Sequence, residues 1–199
     1  MPKKLLRIAL FATLLLPLPA IAEEWRAVER EAPYRISGTT GAELYASIGE
    51  RGPRIGGLVG VIAHTTFKLT WRRDYQPRDG GCVLASARPK LIITYTLPRP
   101  ASKLSAGVRA EWEAFIAGVR DHEKVHGAMI TDMVREIERI SVGLAVPDDP
   151  GCKKIRQELT RRLAAISDEQ RRKSREFDQV ELGDGGNIQR LILRLVNGG

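Results

Sequence analysis

His122, Glu123 and His126 stand in the order H-E-x-x-H within the stretch RDHEKVHGAM, and two of the chain's three histidines lie here. Residues four apart on a helix project from the same side, so both imidazoles can reach one ion. Zinc accepts imidazole nitrogen, and a catalytic zinc site keeps one position open for water. Glu123 follows the first histidine by one residue and is turned roughly 100° about the helix axis, beside such an ion rather than on it. That is where a general base for a zinc-activated water belongs. The competing reading is a solvated helical turn in which Glu123 and Lys124 pair with neighbours. Against it, the histidines sit at the inward edge of a strongly amphipathic segment, where an uncompensated imidazole is costly.

A third protein ligand is required. In an unbroken helix Asp132 lies about 9 Å along the axis from His126 and about 240° round it, and Glu136 lies roughly 15 Å up the axis. Neither reaches the ion. A helical hairpin offers another source. If two helices pair about a turn near residue 148, His126 lies opposite about residue 170 and His122 opposite about residue 174. The end of the second helix and the loop after it then return to the metal, with Asp178, Glu181 and Asp184 as candidates. Asp168 is level with the site but points sideways. His64 reads as a partly exposed strand histidine outside it. No oxyanion donor is identifiable; Tyr75, Tyr95 and Arg120 are weak candidates.

The elements that must position these residues divide the chain in two. Residues 23–33 read as a leader into the domain. Tyr34 to Gly38 alternates into a short strand, and Thr40 with Glu43 forms a capping box for a short helix carrying Leu44 and Ile48 inward. Residues 49–57 read as a Gly, Pro and Arg loop. From Val59 to Trp71, Ala63, Thr65, Phe67, Leu69 and Trp71 share one face at period two, the mark of a half-buried strand. Asp79-Gly80-Gly81 is a turn, Cys82 to Leu97 supplies one or two further strands, and Pro98 and Pro100 stop the sheet. A helix then starts at Ser102 or Ser105 and runs to about Leu144, with Trp112, Phe115, Ile116, Val119, His126, Met129, Met133, Ile137 and Ile140 on one stripe. V-P-D-D-P-G is a turn. A second helix starts near Cys152, buries Ile155, Leu159, Leu163, Ile166 and Phe177, and ends at Gly183, Gly185 and Gly186. Ile188 to Val196 is a last apolar segment. The fold class is therefore α+β: a small antiparallel sheet with a short helix, packed on a long antiparallel helical hairpin.

The beginning of the chain reads as an address rather than as structure. Lys3, Lys4 and Arg7 precede an apolar run from Ile8 to Leu18, and Ala20-Ile21-Ala22 fits a cleavage site, so residues 1–22 read as a signal peptide. The run is too short to span a bilayer comfortably, and no transmembrane segment remains after cleavage. The mature chain, residues 23–199, has the size of one domain, and is periplasmic or secreted. The formal charge of +8 falls to +5 without the three leader cations. That modest excess suits an anionic envelope surface better than nucleic acid, and no basic patch interleaved with aromatics is present to stack bases. In an oxidising compartment the two cysteines, Cys82 and Cys152, form one disulfide. It closes a loop of about 70 residues and contributes roughly 4 kcal/mol in the chain-entropy account.

From residue 34 to residue 186 the order and spacing resemble the domain of unknown function 922, a family of predicted secreted zinc-dependent proteases of bacteria. The likeness is carried by Tyr34-x-x-x-Gly38-x-Thr40-x-x-Glu43-Leu44, Gly52-Pro53, and Ala63-x-Thr65-x-Phe67 leading to Trp71. It continues through Cys82, Leu97-Pro98, Trp112, His122-Glu123-x-x-His126, Cys152 and the pair Phe177-Asp178. The chain departs where the family continues to a Thr-x-His-Gly, reading Val180-Glu181-Leu182-Gly183-Asp184-Gly185 instead. The resemblance implies a zinc protease acting on a peptide or protein. It implies His122 and His126 as ligands, Glu123 as base, and Asp184 in the place of the missing histidine, with Asp178 as the alternative. A non-catalytic envelope binding module with a structural or decayed metal site, and a zinc amidase of cell-wall peptides, are the competing functions.

Overall fold

The computed structural model describes residues 25–57 and 59–198. The expected signal peptide, with its cleavage site after Ala22, lies outside the described residues. Among these, no helix is long and apolar enough to cross a membrane. The architecture is α+β, a small sheet covered on one side by helices.

The sheet is built on one long central strand. β4 (His64–Arg78) and β5 (Gly81–Pro100) form an antiparallel hairpin, paired from His64↔Thr96 to Arg78↔Gly81. Its two-residue turn, Asp79 and Gly80, takes positive φ at both positions (51° and 77°). That is the conformation whose twist matches the strands, and Asp-Gly is a favoured pair for it. Leu91, Ile93, Tyr95 and Leu97 are buried at period two, while further back Cys82 and Leu84 are buried in the opposite phase. The phases are reconciled by a bulge: Asp74 pairs Ser86 and Tyr75 pairs Leu84, so Ala85 is the extra residue. One inserted residue keeps both halves of β5 facing the helices.

β1 (Val28–Ile36) lies on the other side of β5 and runs parallel to it, from Val28↔Ile92 to Ile36↔Pro100. The sheet is thus mixed, not purely antiparallel, and much of the expected leader is strand. The end of β1, from Tyr34 to Ile36, is the short strand expected from alternation, while the residues before it escape a pattern reading because they are mostly exposed and carry charges, as edge strands often do. Pro98 and Pro100 do not stop β5. Pairing with β4 begins at Thr96, so both prolines sit where only β1 is alongside, and a missing donor is tolerated there.

α1 (Gly41–Arg51) begins with the expected capping box: Thr40 Oγ1 accepts from Glu43 N–H, and the Glu43 carboxylate accepts from Thr40 N–H. The short strand β2 (Arg54–Ile55) falls within the expected loop, and β3 (Val59–Gly60) falls at the start of the expected strand from Val59, which is interrupted before β4 begins at His64. α2 (Ala106–Ser141) and α3 (Lys154–Leu182) make the hairpin, joined through β6 (Ala145–Val146), which pairs with Cys82 and Val83 of β5. Cys82 and Cys152 are joined in a disulfide across a sequence separation of 70. It sits in a small core of its own with Leu84, Leu144, Ile155 and Leu159. The terminal apolar segment is α4 (Asn187–Asn197), which buries Ile188 and Leu195 in the main core. It approaches α1 so closely that a Cβ on Gly41 would meet the Leu195 carbonyl oxygen at 1.8 Å.

Candidate functional site

α2 lays its middle turns directly on β5. His122, Glu123 and His126 are all buried there, between Val119 and Ile130 of the main core. Gly127 permits this: a Cβ at that position would stand 2.2 Å from the Tyr95 hydroxyl oxygen. The end of α3 returns to the same place and supplies Ser174, Phe177 and Asp178.

Three ligand-type atoms converge. His122 Nε2 and His126 Nε2 are 3.1 Å apart, and Asp178 Oδ1 lies 2.9 Å from the second and 3.2 Å from the first. A single point just off the plane of this triangle lies about 2.0–2.1 Å from all three atoms, the bond length zinc makes to imidazole nitrogen and carboxylate oxygen. The donor set therefore fits a metal ion. One proton can bridge only two of the three atoms at a time, whereas a cation at the common point serves all of them.

The surroundings hold this arrangement. Ser174 Oγ lies 2.8 Å from His126 Nδ1; with the ring proton donated to Ser174, the Nε2 lone pair faces the common point. Phe177 stacks on His122 at 4.7 Å and meets His126 edge-on at 5.4 Å. His122 Nδ1 is buried without a hydrogen-bond partner among the described residues, with the Glu181 carboxylate 3.9 Å away. For His126, burial acts to lower the pKa, but the hydrogen bond and charge of Asp178, with the charge of Glu123, outweigh it and raise it. Burial likewise acts to raise the Asp178 pKa, yet its hydrogen bonds to His122 and His126 hold it well below the usual carboxylate range. Both shifts describe a centre that favours added positive charge.

Glu123 does not join the triangle. Its Oε2 accepts a hydrogen bond from Thr65 Oγ1 at 2.5 Å, and Oε1 has no hydrogen-bond partner among the described residues. Thr65 lies on β4, on the face shared with Ala63. Glu123, His122, His126 and Asp178 all line one cleft of about 700 Å³, walled by β3–β4 on one side and α3 on the other. β4 is an edge strand of its sheet.

Of the acids proposed from the sequence, Asp178 is brought to the histidines and Asp184 is not. α3 stays helical through Leu182 with Gly183 as its cap, so Asp178 follows Ser174 by one turn on the same face. Asp184 falls in the exposed turn beyond the cap and accepts from Gln189 Nε2 at 3.2 Å. Asp168 pairs with Arg171, and Asp132 with Arg135. His64 lines the rim of the cleft without approaching the triangle. None of the weak oxyanion candidates lines the cleft: Arg120 pairs with Glu31, Tyr75 lies under Arg156, and Tyr95 is buried beneath Gly127. Ser174 and Thr65 went unassigned in the sequence. Ser174 is legible afterwards as the residue four before Asp178, and Thr65 as an inward residue of the alternating strand.

Fold and site together define an α+β protein with two buried histidines and a half-buried aspartate able to hold a metal ion beside a separate buried carboxylate. The chain belongs to the family described as bacterial protein of unknown function (DUF922), which matches residues 31–186. That span contains the metal-type triad, Glu123 and both cysteines, and leaves α4 outside. No curated protein and no solved structure gives a significant match.

Proposed function

We propose that this chain is an exported, zinc-dependent peptide hydrolase, with His122, His126 and Asp178 holding the ion and Glu123 as general base. One observation carries the reading: three converging ligand atoms and a fourth, buried carboxylate that a purely structural metal site does not need share one cleft. When bound, zinc would supply a Lewis acid for the scissile carbonyl and a water that ionises near neutral pH. The chain's own residues do the rest. Thr65 holds one oxygen of Glu123 and leaves the other to take up a proton and return it to the leaving amine. Ser174 and Phe177 fix the two imidazole rings, so ligation needs little reordering. The edge strand β4 supports a peptide as substrate, since alternate residues of such an edge turn N–H and C=O groups outward, where an extended chain can pair with them. A periplasmic or extracellular location is supported by the disulfide and by the basic-then-apolar leader. Contact with an anionic envelope surface rests only on net charge.

The test is metal content by mass spectrometry after dialysis, followed by hydrolysis of an unfolded protein substrate. One zinc per chain is expected in wild type, in Glu123→Gln and in Asp184→Ala, and loss of zinc in His126→Ala and Asp178→Ala. Hydrolysis should fall at least a hundredfold in Glu123→Gln. Wild type that is folded and metal-free would sink the reading. Bound zinc with no peptide hydrolysis would favour the envelope binding module, and cleavage confined to cell-wall peptides would favour the amidase.

A further inference from the structure

The cleft is asymmetric in a way that hydrolysis alone does not require. Ile55, Phe67 and Leu182 are 49%, 44% and 47% exposed, and all three line it. Large apolar side chains clustered at the mouth of one cleft mark a binding surface rather than scattered exposure. On the α3 side the lining is cationic, with Arg171 and Arg175. The α3 arginines nearby are already paired: Arg171 with Asp168, and Arg172 with Glu169 and Glu176. Arg175 has no carboxylate partner among the described residues. The acid three positions on is Asp178, which turns to His122 and His126 instead. Arg175 is thus left without a carboxylate one helical turn before Asp178, with about 5–6 Å between the two Cβ atoms at this spacing.

Resting on the peptide-hydrolase reading, we infer that the cleft selects peptides with a bulky apolar side chain beside the scissile bond and a carboxylate within about two residues of it. The apolar side chain lies against Phe67 and Leu182, and the carboxylate pairs with Arg175. That carboxylate is either an acidic side chain or the chain terminus; the chemistry recognised is the same.

The experiment separates this inference from the hydrolysis it rests on. Fluorescently labelled peptides are titrated by anisotropy onto zinc-loaded Glu123→Gln, alone and combined with Arg175→Ala or Phe67→Ser. The peptides carry Leu or Phe at the centre and, two residues away, Glu, Gln, a free C-terminus or an amidated one. Tighter binding of carboxylate-bearing peptides is expected, with about tenfold of it lost in Arg175→Ala. Phe67→Ser should weaken every Leu or Phe peptide alike. Whichever of the Glu and free-terminus peptides shows the Arg175 effect identifies the source of the carboxylate. Binding that ignores the carboxylate, or that Arg175→Ala leaves unchanged, overturns the inference even if wild type cleaves peptides. The expected binding pattern with no cleavage by wild type would preserve the ligand class and remove the hydrolase.

Discussion

Gly127→Ala tests how closely the metal-type helix must lie on the sheet. The added Cβ would stand 2.2 Å from Tyr95 Oη, 3.0 Å from Cζ and 3.2 Å from Cε1. Carbon atoms in contact settle at about 3.5–4.0 Å, so the helix and the ring must separate by roughly 1 Å. Tyr95 cannot swing aside: it is 3% exposed and lies on the central strand, opposite Glu31 of β1 and Thr65 of β4. Overpacking of this kind costs about 1–3 kcal/mol, and the better helix propensity of alanine returns up to about 1 kcal/mol. A net loss of about 1–2 kcal/mol lowers the melting temperature by about 2–8 °C for a domain of this size. Burial, with the Glu29 and Glu123 carboxylates nearby, pushes the Tyr95 pKa up to about 12, so a neutral phenol meets the helix at any ordinary pH. Its hydroxyl is close to the Glu29 carboxylate but makes no well-formed hydrogen bond among the described residues, so Tyr95→Phe should cost no more than about 1 kcal/mol. In the double variant it removes the shortest contact, and a favourable coupling of about 1 kcal/mol is expected. Because His126 precedes Gly127, lifting α2 also moves a proposed ligand, and on the zinc reading Gly127→Ala should weaken metal binding about tenfold. Denaturation of the four proteins and zinc titration of each supply the numbers. An alanine variant as stable as wild type, or a strictly additive cycle, would refute the steric account.

Loss of the Cys82–Cys152 bridge, which closes a loop of 70 residues, should cost about 4 kcal/mol; denaturation with and without reductant measures it, and a cost below about 1 kcal/mol would contradict the loop argument. Burial acts to raise the Asp149 pKa, but the backbone N–H groups it accepts from Ile155, Lys154 and Lys153, with the Lys154 charge, leave it lowered. Its stabilisation is therefore present above the unfolded pKa and lost as pH falls through the folded one. Asp149→Asn should be less stable at neutral pH and should flatten the acid side of the stability curve below about pH 4, and parallel curves for the two proteins would rule this out.

Much of this fold is legible in local chemistry. The capping box at Thr40 and Glu43, the Asp79-Gly80 turn and the inward stripe of α2 are each set by residues within a few positions of one another. What escaped depends on partners far along the chain. The first part of β1 carries Glu29, Arg30 and Glu31 and shows no apolar alternation before Tyr34; it is a strand because β5 offers it a parallel edge. The bulge at Ala85 is likewise invisible until both strands are paired, and without it the apolar pattern of residues 82–97 leaves open whether one or two strands are present.

The hairpin leaves Asp178, Glu181 and Asp184 open as the proposed third ligand, and the family resemblance puts Asp184 first; a small shift in register is what brings Asp178 to the histidines instead. His126 faces Ser174, and His122 faces Asp178; both pairs are centred on Pro150, two residues beyond the pivot that the V-P-D-D-P-G turn suggests. Around a hairpin, two residues at the pivot are four residues in the facing position, and four residues are a full helical turn. The shift has a physical origin. The chain between Ser141 and Lys154 does not make a tight turn: it first adds β6 to β5 and then reaches back to Cys82 through Cys152. With the pivot moved, the acid level with the histidines is one still inside α3, and no loop residue has to bend back. This is why Asp178, held by helical geometry behind Ser174, converges on both imidazoles while Asp184 stays in the turn with Gln189. A ligand on a helix is also the better-ordered choice, because its direction is fixed before any ion arrives and binding need not order a glycine-rich loop.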